Sequence, residues 1–375
     1  MSEPAPGRRA DGPAAPARPG RTRALAVTLT VGLLLLAAGA VVFAGSRQPS
    51  LRQPGSRHPA TSAEHSRIGA PAPGRSALRA LVPFRVRYRD LLHDRPELVR
   101  TIRFTYTANS GRRRTAFVVL PRWYDRRKHP PIPLVIAPHG RGISSRINLR
   151  FWGALPAFGP FAVVDPDGQG RRLTRYSWGW RGQIDDLSRM SGIVEHAVPG
   201  LRVDRSRIYA IGSSMGGQET LLLVARHPDL LAGAAALDSA TDMAARYGAF
   251  AQLRGGRRLQ RLARIEIGGT PAHVPDAYAE RSPITFARKI ARSGVPVHLW
   301  WSTRDKIVRN QNAESGALYR AIKRINPKAP VTEYVGAWAH SREMHPLTRL
   351  PLVLIRFRLI ELDEPLPQGI APMKP

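Results

Sequence analysis

The residues most able to do chemistry lie at Gly212-Ser213-Ser214-Met215-Gly216, followed by Gly217. This is the pattern G-x-S-x-G. It falls between a β-rich run at residues 207–211 (RIYAI) and a helical pattern at residues 218–225. In that context the motif has a mechanical meaning: a sharp strand-to-helix turn lifts the serine hydroxyl clear of a sheet. Small residues two before and two after are needed because the turn brings backbone segments close together. The helix that follows aims its N-terminus at the site, which favours developing negative charge. Ser214 is therefore the candidate nucleophile.

A serine hydroxyl is a weak nucleophile at neutral pH and needs a general base. When the nucleophile stands on such a turn, an acid and then a histidine follow it along the chain. Downstream histidines are His227, His273, His298, His340 and His345. His227 reads as a helix end and His298 as part of a strand. His340 and His345 both lie beyond the last strand, and His340 is favoured because it is closer to the strand end. The acid belongs after the preceding strand. Asp305 follows residues 295–301 (VPVHLWW), and Asp238, at the end of an earlier strand, is the runner-up. The run from His340 to His345 fits neither H-E-x-x-H nor H-x-x-E-H, so no metal is implied, and no organic cofactor either.

Acyl transfer also needs donors for the oxyanion of its tetrahedral intermediate. The N–H of Met215, the residue after the nucleophile, is one. The second is expected from His139-Gly140-Arg141-Gly142, which follows the strand-like residues 133–138 (PLVIAP); Gly140 and Arg141 are both candidates. Trp178 and Trp180 either line a substrate pocket or pack beneath the loop that carries them.

These groups need a scaffold of alternating strands and helices. Residues 103–107 and 115–120, joined by Asn109-Ser110-Gly111, predict a hairpin. Residues 133–138, 161–164, 207–211, 234–237, 295–301 and 331–335 predict strands of the kind buried in a parallel sheet. Ile184, Leu187, Met190, Ile193 and Val194 recur at helical spacing, and residues 314–325 predict another helix. The alternation implies a mostly parallel, doubly wound sheet flanked by helices, and a G-x-S-x-G turn on such a sheet resembles the α/β-hydrolase fold. Residues 242–280 would be an insertion near the site, placed to shape specificity.

The segments PLVIAPHGRG, VDRSRIYAIGSSMGGQETLLLVARHPDLLAGAAAL, ERSPITFARKI, VPVHLWWSTRDKIV and AWAHS resemble the catalytic domain of the prolyl oligopeptidase family and its esterase relatives. The resemblance covers about residues 130–345. It implies Ser214 as nucleophile, Asp305 as acid and His340 as base. Two departures stand out. There is no room before the hydrolase for the propeller of the larger peptidases, and the acid loop reads Ser-Thr-Arg-Asp where the family often has a glycine. Trp178, Trp180 and residues 183–186 (QIDD) are also similar to secreted esterases of the feruloyl and polyhydroxyalkanoate depolymerase type. The implied activity is cleavage of carboxylic esters, or of short peptide or amide bonds. The alternatives are a serine peptidase of the prolyl oligopeptidase family, an acyltransferase, or a non-catalytic envelope protein on the same fold.

The N-terminal region carries separate information. Residues 1–23 are basic and rich in Pro, Ala and Gly, which predicts disorder. Residues 24–45 are uncharged and, at 22 residues, long enough to cross a bilayer as a helix of about 1.5 Å per residue. A secretory signal core is usually shorter, about 7–15 residues. Arg8, Arg9, Arg18, Arg21 and Arg23 precede this span, so a cytoplasmic N-terminus and an external catalytic domain are expected, or a secreted domain if the span is cleaved. Residues 46–77 read as a flexible linker and residues 78–375 as the catalytic domain. The formal charge is +31. It is spread over the whole chain without a nucleic-acid motif, which argues for a general arginine bias and no specific nucleic-acid partner. The absence of cysteine excludes disulfides and thiolate metal sites.

Overall fold

The computed structural model describes residues 78–341 and 350–367. Its strands are β1 (Val99–Thr107), β2 (Arg113–Pro121), β3 (Ile132–Ile136), β4 (Ala162–Pro166), β5 (Val203–Ser213), β6 (Gly233–Leu237), β7 (Val297–Ser302) and β8 (Val331–Gly336). They form one sheet in the order β1-β2-β4-β3-β5-β6-β7-β8. The β1–β2 and β2–β4 pairs are antiparallel. From β4 across to β8 every pair is parallel. This is the α/β-hydrolase arrangement expected from the strand–helix alternation.

The expected hairpin is β1 and β2, paired from Val99↔Pro121 to Thr107↔Arg113. Gly111 turns it with φ +74°, a left-handed conformation that glycine adopts without a Cβ penalty. The central strands are continuous apolar runs because both faces are covered. Alternate side chains accordingly enter different cores: Leu134 and Ile136 one, Val135 and Ala137 the other.

The helices that position the site are α1 (Arg181–Ser188), α2 (Met190–Ala197), α3 (Met215–Arg226), α4 (Met243–Phe250), α5 (Gly256–Ile267), α6 (Pro275–Ala279), α7 (Ala287–Arg292), α8 (Ser315–Ile325) and α9 (Leu350–Arg356). Residues of α1, α2, α3, α7 and α8 share one core with Leu134 and Ile136. Residues of α9 share the other with Trp152 and Phe158. Helices α4 to α6 form the insertion between β6 and β7. Its Met243, Phe250, Ile267 and Tyr278 build a third apolar cluster around Trp178 and Met215, so the insertion lies over the nucleophile turn.

Three elements differ from expectation. The single amphipathic helix through Ile184 and Val194 is two helices, interrupted at Arg189, whose N–H bonds back to Asp186 in a tighter turn. Helix α3 begins at Met215 rather than Gln218. Gly216 and Gly217 are poor helix formers, and close packing rather than propensity keeps them helical. Strand β5 starts at Val203, before the apolar run. The expected disordered N-terminus, span and linker at residues 1–77, and His345, lie outside the described residues. Among the described residues no helix is long and apolar enough to cross a membrane.

On α3, Glu219 is fully buried, bonded to the Ser177 hydroxyl, and burial raises its pKa to about 7. The folded protein thus holds this proton more tightly than the unfolded chain. Stability should fall as pH rises from the ordinary glutamate value of 4.5 through about 7. The contribution is at most about 3 kcal/mol. Glu219→Gln should flatten that slope, read as urea unfolding midpoints at pH 5 and pH 7.5.

Candidate active site

Ser214 follows the last residue of β5 and caps α3 with φ 60° and ψ −122°, a strained conformation for a residue with a side chain. Its N–H donates to the Leu237 carbonyl at 2.8 Å, and its carbonyl accepts from Gln218 N–H at 3.0 Å. The surrounding glycines have no room for a side chain. A Cβ on Gly212 would lie 2.5 Å from the Gly216 carbonyl carbon and oxygen. One on Gly216 would overlap the Pro138 carbonyl oxygen, and one on Gly217 the Ser239 hydroxyl. The turn therefore packs directly against the ends of β3 and β6.

The loop after β3 stands beside the serine: a Cβ on Gly140 would lie 3.9 Å from Ser214 Cβ. Met215, as first residue of α3, has no intrahelical partner for its N–H. Gly142 N–H already donates to the Arg175 carbonyl, which leaves Gly140 and Arg141 as the donors this loop offers. His139 holds the loop from beneath. Its Nδ1 pairs with the Gly140 carbonyl at 2.8 Å and its Nε2 accepts from Gly168 N–H at 2.8 Å. Burial lowers its pKa, which keeps it neutral and structural.

At the far end of the parallel strands, His340 Nδ1 lies 2.7 Å from Asp305 Oδ2. Asp305 leaves β7, and its other oxygen accepts from Ile307 N–H at 2.8 Å and Val308 N–H at 2.9 Å. Burial pushes the Asp305 pKa up, but the His340 hydrogen bond and charge and the backbone donors outweigh it, so the carboxyl is held below its ordinary range. Asp238, at the end of β6 with φ 45°, is the second carboxylate near the imidazole. One ligand atom from each of Asp238, Asp305 and His340 falls within 4.8 Å of the others. Asp238 does not hold the imidazole Nδ1; it holds the loop. Its oxygens accept from Ser302 N–H at 3.0 Å, Trp338 Nε1 at 3.0 Å and Ser341 N–H at 2.9 Å. Burial raises its pKa, partly countered by His340 and raised further by Asp305. The carboxylates are thus engaged by N–H donors, which suits an oriented imidazole better than a cation cage. A 2.7 Å hydrogen bond between the hydroxyls of Ser213 and Ser341 ties the end of β5 to the loop that carries His340.

Two recesses flank Ile307. The smaller, about 20 Å³ where one water needs roughly 10–15 Å³, is lined by Ser214, Met215, Trp178, Phe250, Arg141 and Arg246. The larger, about 500 Å³, is lined by His340, Trp338, Arg304 and Lys306 among others. Trp178 thus both lines the site and packs in the third cluster. Trp180 instead packs against Gly182. His227 caps the end of α3, and His298 stacks on Phe357 at 4.4 Å in β7, its pKa lowered by burial to about 4. Sequence reasoning missed Arg246 and the anchoring role of Asp238. No motif marks an arginine on a helix of an insertion, whereas Asp238 had a detectable position at a strand end.

The comparisons agree with this architecture. The model of the prolyl oligopeptidase family matches residues 161–330, a stretch that contains Ser214 and Asp305 and ends before His340. Over 111 residues the chain is 32% identical to poly(3-hydroxyalkanoate) depolymerase C of Paucimonas lemoignei, covering 28% of this chain and 27% of that protein. A puromycin-hydrolyzing peptidase of Mycobacterium tuberculosis superposes with TM-score 0.56 at 20% identity, over 73% of this chain and 41% of that one. The Pyrococcus horikoshii acylaminoacyl peptidase gives 0.54 at 16%, over 72% and 43%. S-formylglutathione hydrolase of Staphylococcus aureus gives 0.50 at 15%, over 70% and 99%. At such identities the structural likeness bears on the fold alone, and the chain spans less than half the length of the depolymerase and of both peptidases. The chain has the fold of the α/β-hydrolases. Over residues 161–330 its sequence is similar to the prolyl oligopeptidase family.

Glycine packing at the turn is directly testable. Gly216→Ala should lower stability by roughly 1–3 kcal/mol or more through overlap with Pro138. Gly248→Ala is the control. Gly248 is exposed in α4 with nothing within 4 Å of an added Cβ, so it should gain about 0.5–1 kcal/mol. Denaturant unfolding of both variants reads the difference.

Proposed function

We propose that this chain hydrolyses carboxylic esters through an acyl-enzyme on Ser214, with His340 as general base and acid and Asp305 orienting it. The observation that carries the proposal is the 2.7 Å contact between His340 Nδ1 and Asp305 Oδ2. It leaves Nε2 as the imidazole nitrogen available to the nucleophile. Ser214 Oγ attacks the ester carbonyl while His340 Nε2 takes its proton. Asp305, ionised because its donors stabilise the carboxylate, stabilises the imidazolium. The oxyanion is met by the N–H of Met215 and by that of Gly140 or Arg141, at the positive end of α3. His340 then returns the proton to the leaving alcohol oxygen as the carbon–oxygen bond breaks. Water, deprotonated by the same imidazole, attacks the acyl-enzyme and releases the acid.

Ester rather than peptide cleavage is supported by the 111 residues that are 32% identical to poly(3-hydroxyalkanoate) depolymerase C, a protein named for a polyester substrate. The test is hydrolysis of p-nitrophenyl acyl esters and of a peptide amide panel by the full chain in detergent. Ester turnover should vanish in Ser214→Ala and fall about 10³–10⁴-fold in Asp305→Asn. Preferential turnover of the amides would replace this reading with a peptidase.

The uncharged residues 24–45, preceded by arginines, support a membrane tether with the catalytic domain outside the cytoplasm. The full chain should remain with carbonate-washed membranes, and a chain lacking residues 1–45 should not. Soluble product from the full chain with a new N-terminus near residue 45 would mean export and cleavage instead.

A further inference from the structure

The recess beside Ser214 carries more positive charge than its walls neutralise. Arg246, on α4, is 3% exposed. Its Nη2 donates to the Ile307 carbonyl, but its Nη1 is buried with no hydrogen-bond partner among the described residues. Among those residues Arg141, in the loop after β3, makes no ion pair or side-chain hydrogen bond either. Both guanidinium groups stand over the Phe250 ring, at 5.8 Å for Arg141 and 5.0 Å for Arg246. The nearest acids are already engaged. Glu314 Oε2 accepts from Thr241 N–H at 2.7 Å, Asp242 N–H at 3.0 Å and the Thr241 hydroxyl at 3.1 Å. Asp305 is committed to His340 and its own loop. Burial lowers the pKa of both arginines, that of Arg246 to about 10, which leaves Arg246 charged at neutral pH.

A buried guanidinium with an unused donor, held beside a second, partly exposed one, is costly to keep unless something negative arrives. An aromatic face offsets part of that cost but accepts no hydrogen bond from Nη1 in the way a carboxylate does. The recess is small, which suits a compact anion and not a long acyl chain. Its placement also assigns the side of the substrate. His340 must protonate the leaving oxygen, so the leaving alcohol belongs in the larger cleft that His340 lines. The recess across Ile307, shared with Met215 and Arg141, then receives the acyl portion.

We propose that Arg141 and Arg246 bind a free carboxylate on the acyl chain, a few bonds from the scissile carbonyl, so that the substrate is a half-ester of a short dicarboxylic acid. The inference rests on the ester-hydrolase reading. The reaction adds one water, breaks the ester carbon–oxygen bond, and releases the dicarboxylic acid and the alcohol.

The test compares kcat/KM for mono-p-nitrophenyl glutarate with that for its methyl ester, subtracting the rate with the Ser214→Ala protein. The free acid should be preferred about 10-fold or more. Arg246→Met and, independently, Arg141→Met should bring the ratio towards one, and Arg246→Lys should restore part of it. Calorimetric titration of glutarate into the Ser214→Ala protein is the second arm, with binding expected and its loss in the Ser214→Ala/Arg246→Met double variant. Turnover of the methyl ester without preference for the acid, and no glutarate binding, would overturn the anion recess and leave the hydrolase intact. If neither ester reacts yet glutarate binds through Arg246, the hydrolase reading fails and the anion recess stands. If neither ester reacts and glutarate does not bind, both fall.

Discussion

The site depends on the close approach of backbone to backbone where β5 becomes α3. Ser214 at φ 60° holds its conformation because Gly212, Gly216 and Gly217 let β3, β6 and the helix meet within van der Waals reach. A residue in such a region costs of order 1–3 kcal/mol, and only surroundings that over-determine it keep it there. The neighbouring strand shows the same device, since Asp238 at φ 45° stands one position beyond Leu237, whose carbonyl receives the Ser214 N–H. Two strained residues on adjacent parallel strands thus deliver Ser214 and the anchor of the His340 loop to one end of the sheet.

The two carboxylates near His340 have the same chemistry and different environments. Asp305 collects the imidazole, two backbone N–H groups and Gln311, and is driven towards ionisation. Asp238 is more deeply enclosed, and its pKa moves the other way. Separating paired titratable groups in this manner assigns them different tasks. Asp305 holds the His340 imidazole, and Asp238 fixes the loop through Trp338 and Ser341.

Much of this was legible in the sequence because it rests on local pattern. The strands from β3 to β8 announce themselves as apolar runs between turn signals, and G-x-S-x-G is a motif whose meaning comes from those flanks. Chain order also led to Asp305 and His340, which the fold brings into hydrogen-bond contact. Hidden from the sequence were features created by packing between distant segments. Helix α3 starts three residues early because close packing overrides the weak propensity of Gly216 and Gly217. Arg246 reaches the recess only because the insertion folds over Trp178 and Met215. The division of labour between Asp238 and Asp305 depends on which donors the loops supply, and no spacing rule encodes that.

Ile307 joins two functions through one short segment. Its N–H binds Asp305, and its carbonyl receives Arg246 Nη2. The two faces of this loop therefore cannot diversify independently. A lineage that altered the recess by replacing Arg246 would loosen the loop that cradles the acid, and a loop variant made to retune the acid would shift the recess wall. Changes of selectivity on this scaffold should arise in coupled sets spanning α4 and residues 305–308, with single substitutions passing through poorly active intermediates.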